Sequence, residues 1–470
     1  MRTPPTHVKT TPWFSRLSLV LLVAVLAACG GGASDQNADQ EANGSAATQN
    51  NTAASGKTEL DAWADYADSG QTLPMPTAQD EIEAQLGVAA RLNRQALEAA
   101  RQLAGQSKST ALGAMTRKAF VGEVQAYRFF NAQTGAHFYT VSETERDSVI
   151  ATLPQFQYEG PAFTVSTTAQ DGLLPVYRFF NTATGVHLYT ISEAEKAHIQ
   201  ANLPTYQFEG VAYHASAVGG VGFKPLYRFY RSDRGFHFYT ASFEERDTVI
   251  DTACAYRYEG TAYYVLDASA TTEPPAAHIN SVVMVVGDSL SQGYGVSING
   301  NPYSFVSKGK VWTQTLASVI KTRTGHNCNR VVNVSIGGMR TDQGASRIQG
   351  WVNQHAPTHV IVALGTNDAW QNRSFSSMQV GLNAIHTISQ AAGSRVYVMD
   401  FAFYPKGTAY RQSMTGMYQQ VAANNQSTYF SGTAGIAFTG TYYHPDQVHL
   451  KDAAQPAVQE NVWQALLPTL

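Results

Sequence analysis

The stretch SVVMVVGDSL, residues 281–290, decides the fold of the C-terminal part of this 470-residue chain. After Ser281 it is an unbroken apolar run, which is typical of a strand buried on both faces of a parallel sheet. The run ends in Gly-Asp-Ser-Leu, so Ser289 directly follows the strand. Ligand sites of open parallel sheets lie outside the carboxyl ends of strands, and this position therefore predicts a functional role for Ser289.

Two further apolar runs end in similar motifs. Residues 331–334 lead into the glycine pair that ends at Gly338, and residues 360–364 lead into Gly-Thr-Asn-Asp, which contains Asn367. Apolar residues at helical spacing predict helices at 311–323, 378–388 and 453–467, and another apolar run predicts a strand at 395–403. Helices and strands therefore alternate along this part of the chain. The pattern predicts an α/β domain over residues 279–470, with a parallel sheet between two layers of helices.

A fourth motif, Asp-Gln-Val-His, ends at His449. A serine hydroxyl attacks an ester readily only if a base takes its proton, a carboxylate orients that base, and donors stabilise the oxyanion. The sequence has a candidate for each role. Ser289 is the nucleophile, His449 the base and Asp446 its partner. The candidate oxyanion donors are the backbone N–H groups of Ser289 and Gly338 and the side-chain amide of Asn367.

Together, in this order, the four motifs resemble those of the GDSL or SGNH hydrolase family, named for Ser, Gly, Asn and His. The resemblance assigns these positions to Ser289, Gly338, Asn367 and His449, with Asp446 as the partner of His449. It implies a serine esterase or lipase that hydrolyses carboxylic esters through an acyl-enzyme. It implies neither a cofactor nor a metal.

Other histidines compete for the role of the base. His355, His359 and His386 have no carboxylate at short spacing within a motif, and a single histidine is more often a core or surface residue. His444 is the serious rival because it also lies near Asp446. It precedes a proline, which indicates a turn, so we predict that His444 supports the loop.

Residues 1–28 predict an export signal. Basic residues precede the apolar run 17–28, which is too short to span a bilayer. Its end, Leu-Ala-Ala-Cys, resembles the lipobox of bacterial lipoproteins and implies that Cys29 becomes the lipidated first residue. Residues 29–58 are polar and predict a flexible tether. We therefore expect a lipid-anchored protein at the outer membrane or cell surface of a bacterium, with secretion after a plain signal peptide as the alternative.

Three internal repeats occupy residues 120–267. Their Tyr-Arg-Phe-Phe/Tyr segments start at 127, 177 and 227, which are 50 residues apart. Each repeat predicts strand, strand, helix and strand, and the three together predict an α+β domain with pseudo-threefold symmetry. A serine followed three residues later by a glutamate predicts a capping box at each helix, at Ser142, Ser192 and Ser242. The repeats resemble a domain of secreted bacterial hydrolases to which we assign no function.

Each repeat also contains one arginine and one glutamate that we expect to pair: Arg128 with Glu159, Arg178 with Glu209, and Arg228 with Glu259. Other uses of the repeats stay open. His137, His187 and His237 could meet as a metal site on the symmetry axis, although equivalent positions usually recur for packing. The many tyrosines could bind carbohydrate, because aromatic faces pack on sugar rings. Residues 59–119 predict a short helical linker or hairpin.

The composition indicates against one class of partner and leaves the state of two cysteines open. A formal net charge of −3 over 470 residues gives no indication of nucleic-acid binding. Cys254 and Cys328 could form a disulfide in an oxidising compartment or remain two buried thiols.

The expected substrate is a small-molecule or polymer ester. Two alternatives remain, a carbohydrate O-acetyl esterase targeted by the repeats and a surface binding protein with a vestigial hydrolase fold.

Overall fold

The computed structural model describes residues 75–106, 120–267, 280–298 and 301–470. The predicted signal segment 1–28, Cys29 and the tether 29–58 lie outside the described residues. Both ends of the predicted helical segment 59–119 also lie outside them. The described part of that segment contains one long helix, α1 (Ala78–Gln106). Within the described ranges, no helix is long and apolar enough to cross a membrane.

The three repeats have the predicted order of strand, strand, helix and strand. The first consists of β1 (Glu123–Asn131), β2 (His137–Thr140), α2 (Glu143–Thr152) and β3 (Phe156–Ser166). The second consists of β4 (Leu174–Asn181), β5 (Val186–Thr190), α3 (Glu193–Asn202) and β6 (Tyr206–Ala215). The third consists of β7 (Phe223–Arg231), β8 (Phe236–Thr240), α4 (Phe243–Thr252) and β9 (Tyr256–Leu266). In each repeat the first strand pairs antiparallel with both others, and β3 joins the repeats by pairing with β6 and β9.

Three tyrosines, rather than the three histidines, meet where the repeats converge. The hydroxyl of Tyr139 donates to the carbonyl of Tyr239, that of Tyr189 to the carbonyl of Tyr139, and that of Tyr239 to the carbonyl of Tyr189. The rings stand edge to face, with centroids 5.7–5.9 Å apart. Each histidine instead lies against the glutamate of its own repeat, as His137 does against Glu159.

The arginine of each repeat forms two ion pairs. Its Nε contacts the expected glutamate of the same repeat, in the pairs Arg128–Glu159, Arg178–Glu209 and Arg228–Glu259. Its Nη1 contacts the helix glutamate of a neighbouring repeat, in the pairs Arg128–Glu245, Arg178–Glu145 and Arg228–Glu195. Arg128 of the first repeat pairs with Glu245 of the third, so these contacts close a ring.

This ring corrects the predicted capping boxes. The serine oxygen does accept from the N–H of the glutamate three residues later, as Ser142 does from Glu145. The glutamate side chain, however, does not return to the serine N–H, which donates to Thr140 Oγ1 instead. The carboxylate of Glu145 is bound by Thr140 and Arg178 because pairing a charge between repeats outweighs a second local cap.

The C-terminal domain confirms the predicted α/β fold with a parallel sheet. The sheet order is β13 (Arg330–Asn333), β10 (Val282–Gly287), β14 (His359–Ala363), β15 (Arg395–Asp400) and β16 (Thr428–Ser431), all parallel. Between β10 and β13 lie α5 (Ser289–Gln292), the hairpin β11 (Val296–Ile298) and β12 (Asn301–Tyr303), and α6 (Trp312–Thr324). The other helices are α7 (Thr341–His355), α8 (Thr366–Trp370), α9 (Phe375–Ala391), α10 (Gly407–Asn424) and α11 (Gln455–Leu466). α6 packs with α11, and α9 packs with α7 and α10, so helices form the outer layers.

Helix α1 and a disulfide connect the two domains. Arg91 of α1 donates to Asn353 Oδ1 of α7 at 2.9 Å, and Asn93 of α1 donates to the carbonyl of Ala262 in the third repeat at 3.2 Å. Cys254, which follows α4, is bonded to Cys328, which precedes β13. Of the two possibilities left open for these cysteines, the structure has the disulfide.

Candidate active site

Ser289 lies where the first strand of the C-terminal sheet ends. β10 leads to Asp288, whose Oδ1 accepts from the N–H of Leu290 at 3.0 Å and caps α5, and Ser289 is the first residue of that helix. The turn is tight: a Cβ on Gly287 would lie 2.6 Å from Ser291 Oγ, so glycine is required there. Ser289 is 2% exposed.

Asp446 and His449 lie in the loop before α11 and point at Ser289. The ring Nε2 of His449 is 2.8 Å from Ser289 Oγ, and its Nδ1 is 2.6 Å from Asp446 Oδ2. Asp446 Oδ1 accepts from the N–H groups of Val448 and His449 at 2.9 Å each. The chain turns here through Gln447 with φ 60°, and the three-residue spacing brings the carboxylate to the ring.

Charge and burial fix the direction of these hydrogen bonds. Burial alone would raise the pKa of Asp446, but the hydrogen bond and charge of His449, with the two backbone donors, lower it to about 2. Asp446 is therefore an acceptor at neutral pH, and His449 Nδ1 carries the proton. His449 Nε2 can then accept the proton of Ser289.

The candidate oxyanion donors follow the two strands next to β10. Gly338 follows β13 and has φ 78°, a left-handed conformation that favours glycine. The N–H of Ile336 donates to the carbonyl of Gly287 at 3.0 Å, which holds the glycine loop beside the end of β10. Asn367 lies in α8, after β14, and its Nδ2 donates to Asp288 Oδ2 at 3.1 Å and to the carbonyl of Met339 at 3.3 Å.

Two buried aspartates support this arrangement. Burial, with the nearby charge of Asp368, raises the pKa of Asp288 to about 7. Burial also raises the pKa of Asp368, whose carboxylate accepts from the N–H and the hydroxyl of Thr341 at 2.9 and 2.8 Å. Asp368 thereby ties α8 to the start of α7.

The other histidines have different partners. His386 contacts the carbonyl of Leu382 and Ser427 Oγ, and His359 contacts Thr358 Oγ1. Burial lowers the pKa of both His355 and His359 to about 4. Among the residues that the structure describes, no group of three or more His, Cys, Asp or Glu side chains is arranged to hold a metal ion.

Sequence reasoning missed one side chain at this site. The ring of Phe305, in the loop before α6, stacks on the ring of His449 with centroids 3.5 Å apart and an interplanar angle of 5°. His444 Nε2 is 2.9 Å from the carbonyl oxygen of Phe305, so the His444 side chain supports the loop before α6. Phe305 belongs to none of the four motifs, and no sequence signal near it indicates a role at the site.

Comparison with known proteins divides the chain in the same two parts. Residues 285–455 match a family model described as "GDSL-like Lipase/Acylhydrolase family". Residues 125–266 match a second model, described as "Domain of unknown function (DUF5648)".

Similar proteins include two named esterases. The chain is 28% identical over 193 residues to "Esterase TesA" of Pseudomonas aeruginosa, a match that covers 40% of this chain and 89% of the relative. It is 26% identical over 197 residues to "Arylesterase" of Vibrio mimicus, covering 42% of this chain and 92% of the relative. A solved structure titled "Crystal Structure of TesA" aligns with a TM-score of 0.36 at 27% identity, over 40% of this chain and 99% of that one.

Proposed function

Because the C-terminal part of this chain is a GDSL-like lipase/acylhydrolase domain and the protein is a carboxylic ester hydrolase, we propose that Ser289, His449 and Asp446 are its catalytic triad. One observation carries the proposal: two hydrogen bonds run from Ser289 Oγ through both ring nitrogens of His449 to a carboxylate. This arrangement is what a serine nucleophile needs for activation.

The reaction proceeds through an acyl-enzyme. Ser289 Oγ attacks the carbonyl carbon of the ester while its proton moves to His449 Nε2, and the π electron pair of the carbonyl becomes an oxyanion. When the oxyanion collapses, the bond to the alcohol oxygen breaks and His449 gives its proton to the leaving alcohol. Water then repeats both steps on the acyl-enzyme and releases the acid. Asp446 keeps its negative charge and stabilises the imidazolium that forms twice.

We assign the oxyanion to the backbone N–H groups of Ser289 and Gly338 and to the Asn367 amide. Both N–H groups of that amide have partners in the free enzyme. The bond to the carbonyl of Met339, at 3.3 Å, is the longer one. We propose that this N–H turns to the substrate oxygen, while Asp288 keeps the other.

The triad is tested by four single or double substitutions. Ser289→Ala and His449→Ala should each abolish turnover of p-nitrophenyl acetate almost completely, and the double variant should be little worse because the residues act as a unit. Ser291→Ala, in the same short helix, is the matched control and should keep its activity. Substantial turnover by Ser289→Ala would contradict the proposal, whereas an inactive wild-type protein would favour the alternative of a vestigial hydrolase fold.

Two classes of ester substrate are distinguished by experiment. An acyl-chain esterase or lipase competes with a carbohydrate O-acetyl esterase whose repeats bind a polymer through aromatic side chains. Rates on p-nitrophenyl esters from acetate to palmitate, compared with acetate release from acetylated xylan, separate the two. Binding of the full chain to acetylated xylan through the repeats should survive Ser289→Ala, because no predicted catalytic residue lies in residues 120–267.

We further propose that the enzyme is exported and lipid-anchored at the bacterial cell envelope. The support is the sequence Leu-Ala-Ala-Cys ending at Cys29, followed by a polar tether. Metabolic labelling with a palmitate analogue should mark the wild-type protein and not Cys29→Ser. Equal labelling of both proteins would exclude an anchor at Cys29.

A further inference from the structure

Two polar contacts and one aromatic contact hold the imidazole of His449. Its two nitrogens contact Ser289 and Asp446, while the face of the ring lies flat on Phe305 at a centroid distance of 3.5 Å. Phe305 is 6% exposed and His449 is 1% exposed, so water is largely excluded from this contact. The face contact fixes the plane of the imidazole, which the two edge contacts alone leave free to tilt.

The backbone holds Phe305 in place from two directions. Its N–H donates to the carbonyl of Gly293, the residue after α5, at 3.0 Å, and its carbonyl lies 2.9 Å from His444 Nε2. Tyr303 packs edge to face on its ring at 4.7 Å. The loop is anchored again at Ser307, whose N–H and hydroxyl donate to the carboxylate of Asp452. Phe305 is thus tied both to the segment after Ser289 and to the loop that bears His449.

We propose that Phe305 is a positioning residue for ester hydrolysis, acting on His449. The inference rests on the proposed triad. When His449 takes the proton of Ser289 it becomes a cation, and the electron-rich face of an aromatic ring attracts a cation that lies over it. The contact therefore strengthens as the imidazolium forms, and it keeps Nε2 in line with Ser289 Oγ. An attraction that grows in the transition state raises kcat without changing KM.

The arrangement also gives His444 its role. The Nε2 of His444 is 2.9 Å from the Phe305 carbonyl oxygen, and the His444 ring packs edge to face on the Phe305 ring at 5.7 Å. We infer that His444 acts on the base through Phe305. His444→Ala should therefore lower kcat less than His449→Ala does. Like a change at Phe305, it should leave KM unchanged.

Phe305→Leu is the primary test, because leucine keeps an apolar side chain and removes the π face. A tenfold fall in kcat corresponds to about 1.4 kcal/mol, which lies within the roughly 2 kcal/mol that a desolvated cation–π contact contributes. The full-length enzyme is assayed on p-nitrophenyl acetate, and the rate at which a fluorophosphonate labels Ser289 is measured beside it. Both rates should fall about tenfold with KM unchanged, and Phe305→Tyr should restore most of the loss.

Tyr397→Leu is the matched control. Tyr397 also stacks on a histidine, His359, with ring centroids 6.1 Å apart. This pair lies at the start of β14, whereas Asn367 follows the end of that strand, so the pair is at the opposite edge of the sheet from the active site. Its loss should lower the thermal unfolding midpoint and leave kcat nearly unchanged. A kcat within twofold of wild type for Phe305→Leu overturns the inference, and a raised KM with normal kcat reassigns Phe305 to substrate contact and overturns it as well.

Two further outcomes are distinguishable. If Phe305→Leu does not fold, a variant with pentafluorophenylalanine at position 305 is tested instead. This residue keeps the shape of the ring and inverts its charge distribution. The same fall in kcat is expected, and normal kcat refutes the inference. If Ser289→Ala is active, the proposed triad fails. If the triad variants are inactive and both Phe305 variants are normal, only the present inference fails.

Discussion

Removal of one arginine should have very different costs in the second and third repeats. Arg228 and its partners Glu195 and Glu259 have side chains that are 2%, 1% and 2% exposed. In the equivalent group, the side chain of Arg178 is 21% exposed and its partners Glu145 and Glu209 are 34% and 31% exposed. The chemistry is the same at both positions, so burial is the main difference.

The magnitudes follow from that difference. Removing one partner of a buried ion pair typically costs about 3–5 kcal/mol, because an uncompensated charge remains inside the protein. An exposed pair is worth about 0–1 kcal/mol. Glu259 keeps a second partner, Arg257 at 3.0 Å, which places the cost for Arg228→Ala toward the lower end. We expect Arg228→Ala to lower the unfolding free energy of the repeat domain by about 2–4 kcal/mol more than Arg178→Ala does.

Urea unfolding of the full chain measures this with separate probes. Four of the six tryptophans, Trp312, Trp351, Trp370 and Trp463, lie in the hydrolase domain, so tryptophan fluorescence reports mainly that domain. Near-ultraviolet circular dichroism of the tyrosines reports mainly the repeats. Equal losses for the two variants, or a larger loss for Arg178→Ala, would refute the argument from burial.

Three further predictions concern the hydrolase domain and its connection to the repeats. The pKa of Asp288 is raised from 3.8 to about 7 in the folded protein, so its stabilising contribution is complete below the lower value and is lost as the pH rises through about 7. The unfolding free energies of wild type and Asp288→Asn should therefore diverge across that range by up to about 1.4 kcal/mol per pH unit, and a constant difference would contradict the shift. Asn367→Ala should lower kcat by about 10²–10³ with KM little changed, and a rise in KM alone would exclude the oxyanion role. Replacing Cys254 and Cys328 by alanine opens a loop of 74 residues and should cost about 4 kcal/mol, while an unchanged melting temperature would show that the bond does not limit stability.

The parallel sheet and the position of Ser289 were predictable because their signals are local. An apolar run that ends in Gly-Asp-Ser is visible within ten residues of sequence, and the parallel topology brings the ends of β10, β13 and β14 to one edge. The spacing of Asp446 and His449 likewise needs no knowledge of the rest of the chain.

The missed features depend on contacts that only the folded chain creates. Phe305 lies 144 positions before His449 in the sequence, and nothing near it marks it as different from a core phenylalanine. The spacing of Ser142 and Glu145 predicted a local cap correctly, but the partner of Glu145, Arg178, is provided by the next repeat. The bond between Cys254 and Cys328 could not be inferred either, because sequence spacing does not determine the distance between two cysteines.

The closed ring of ion pairs limits how this domain can change in evolution. An open stack of repeats can gain or lose a unit at its end, because each unit contacts only its neighbours. Here the first and third repeats are neighbours through Arg128 and Glu245, so a fourth copy has no place in the ring and a missing copy leaves it broken. The number of units is therefore fixed at three by geometry. The order in which the chain visits them is not, so a gene that starts at the second repeat and ends with the first should encode the same ring.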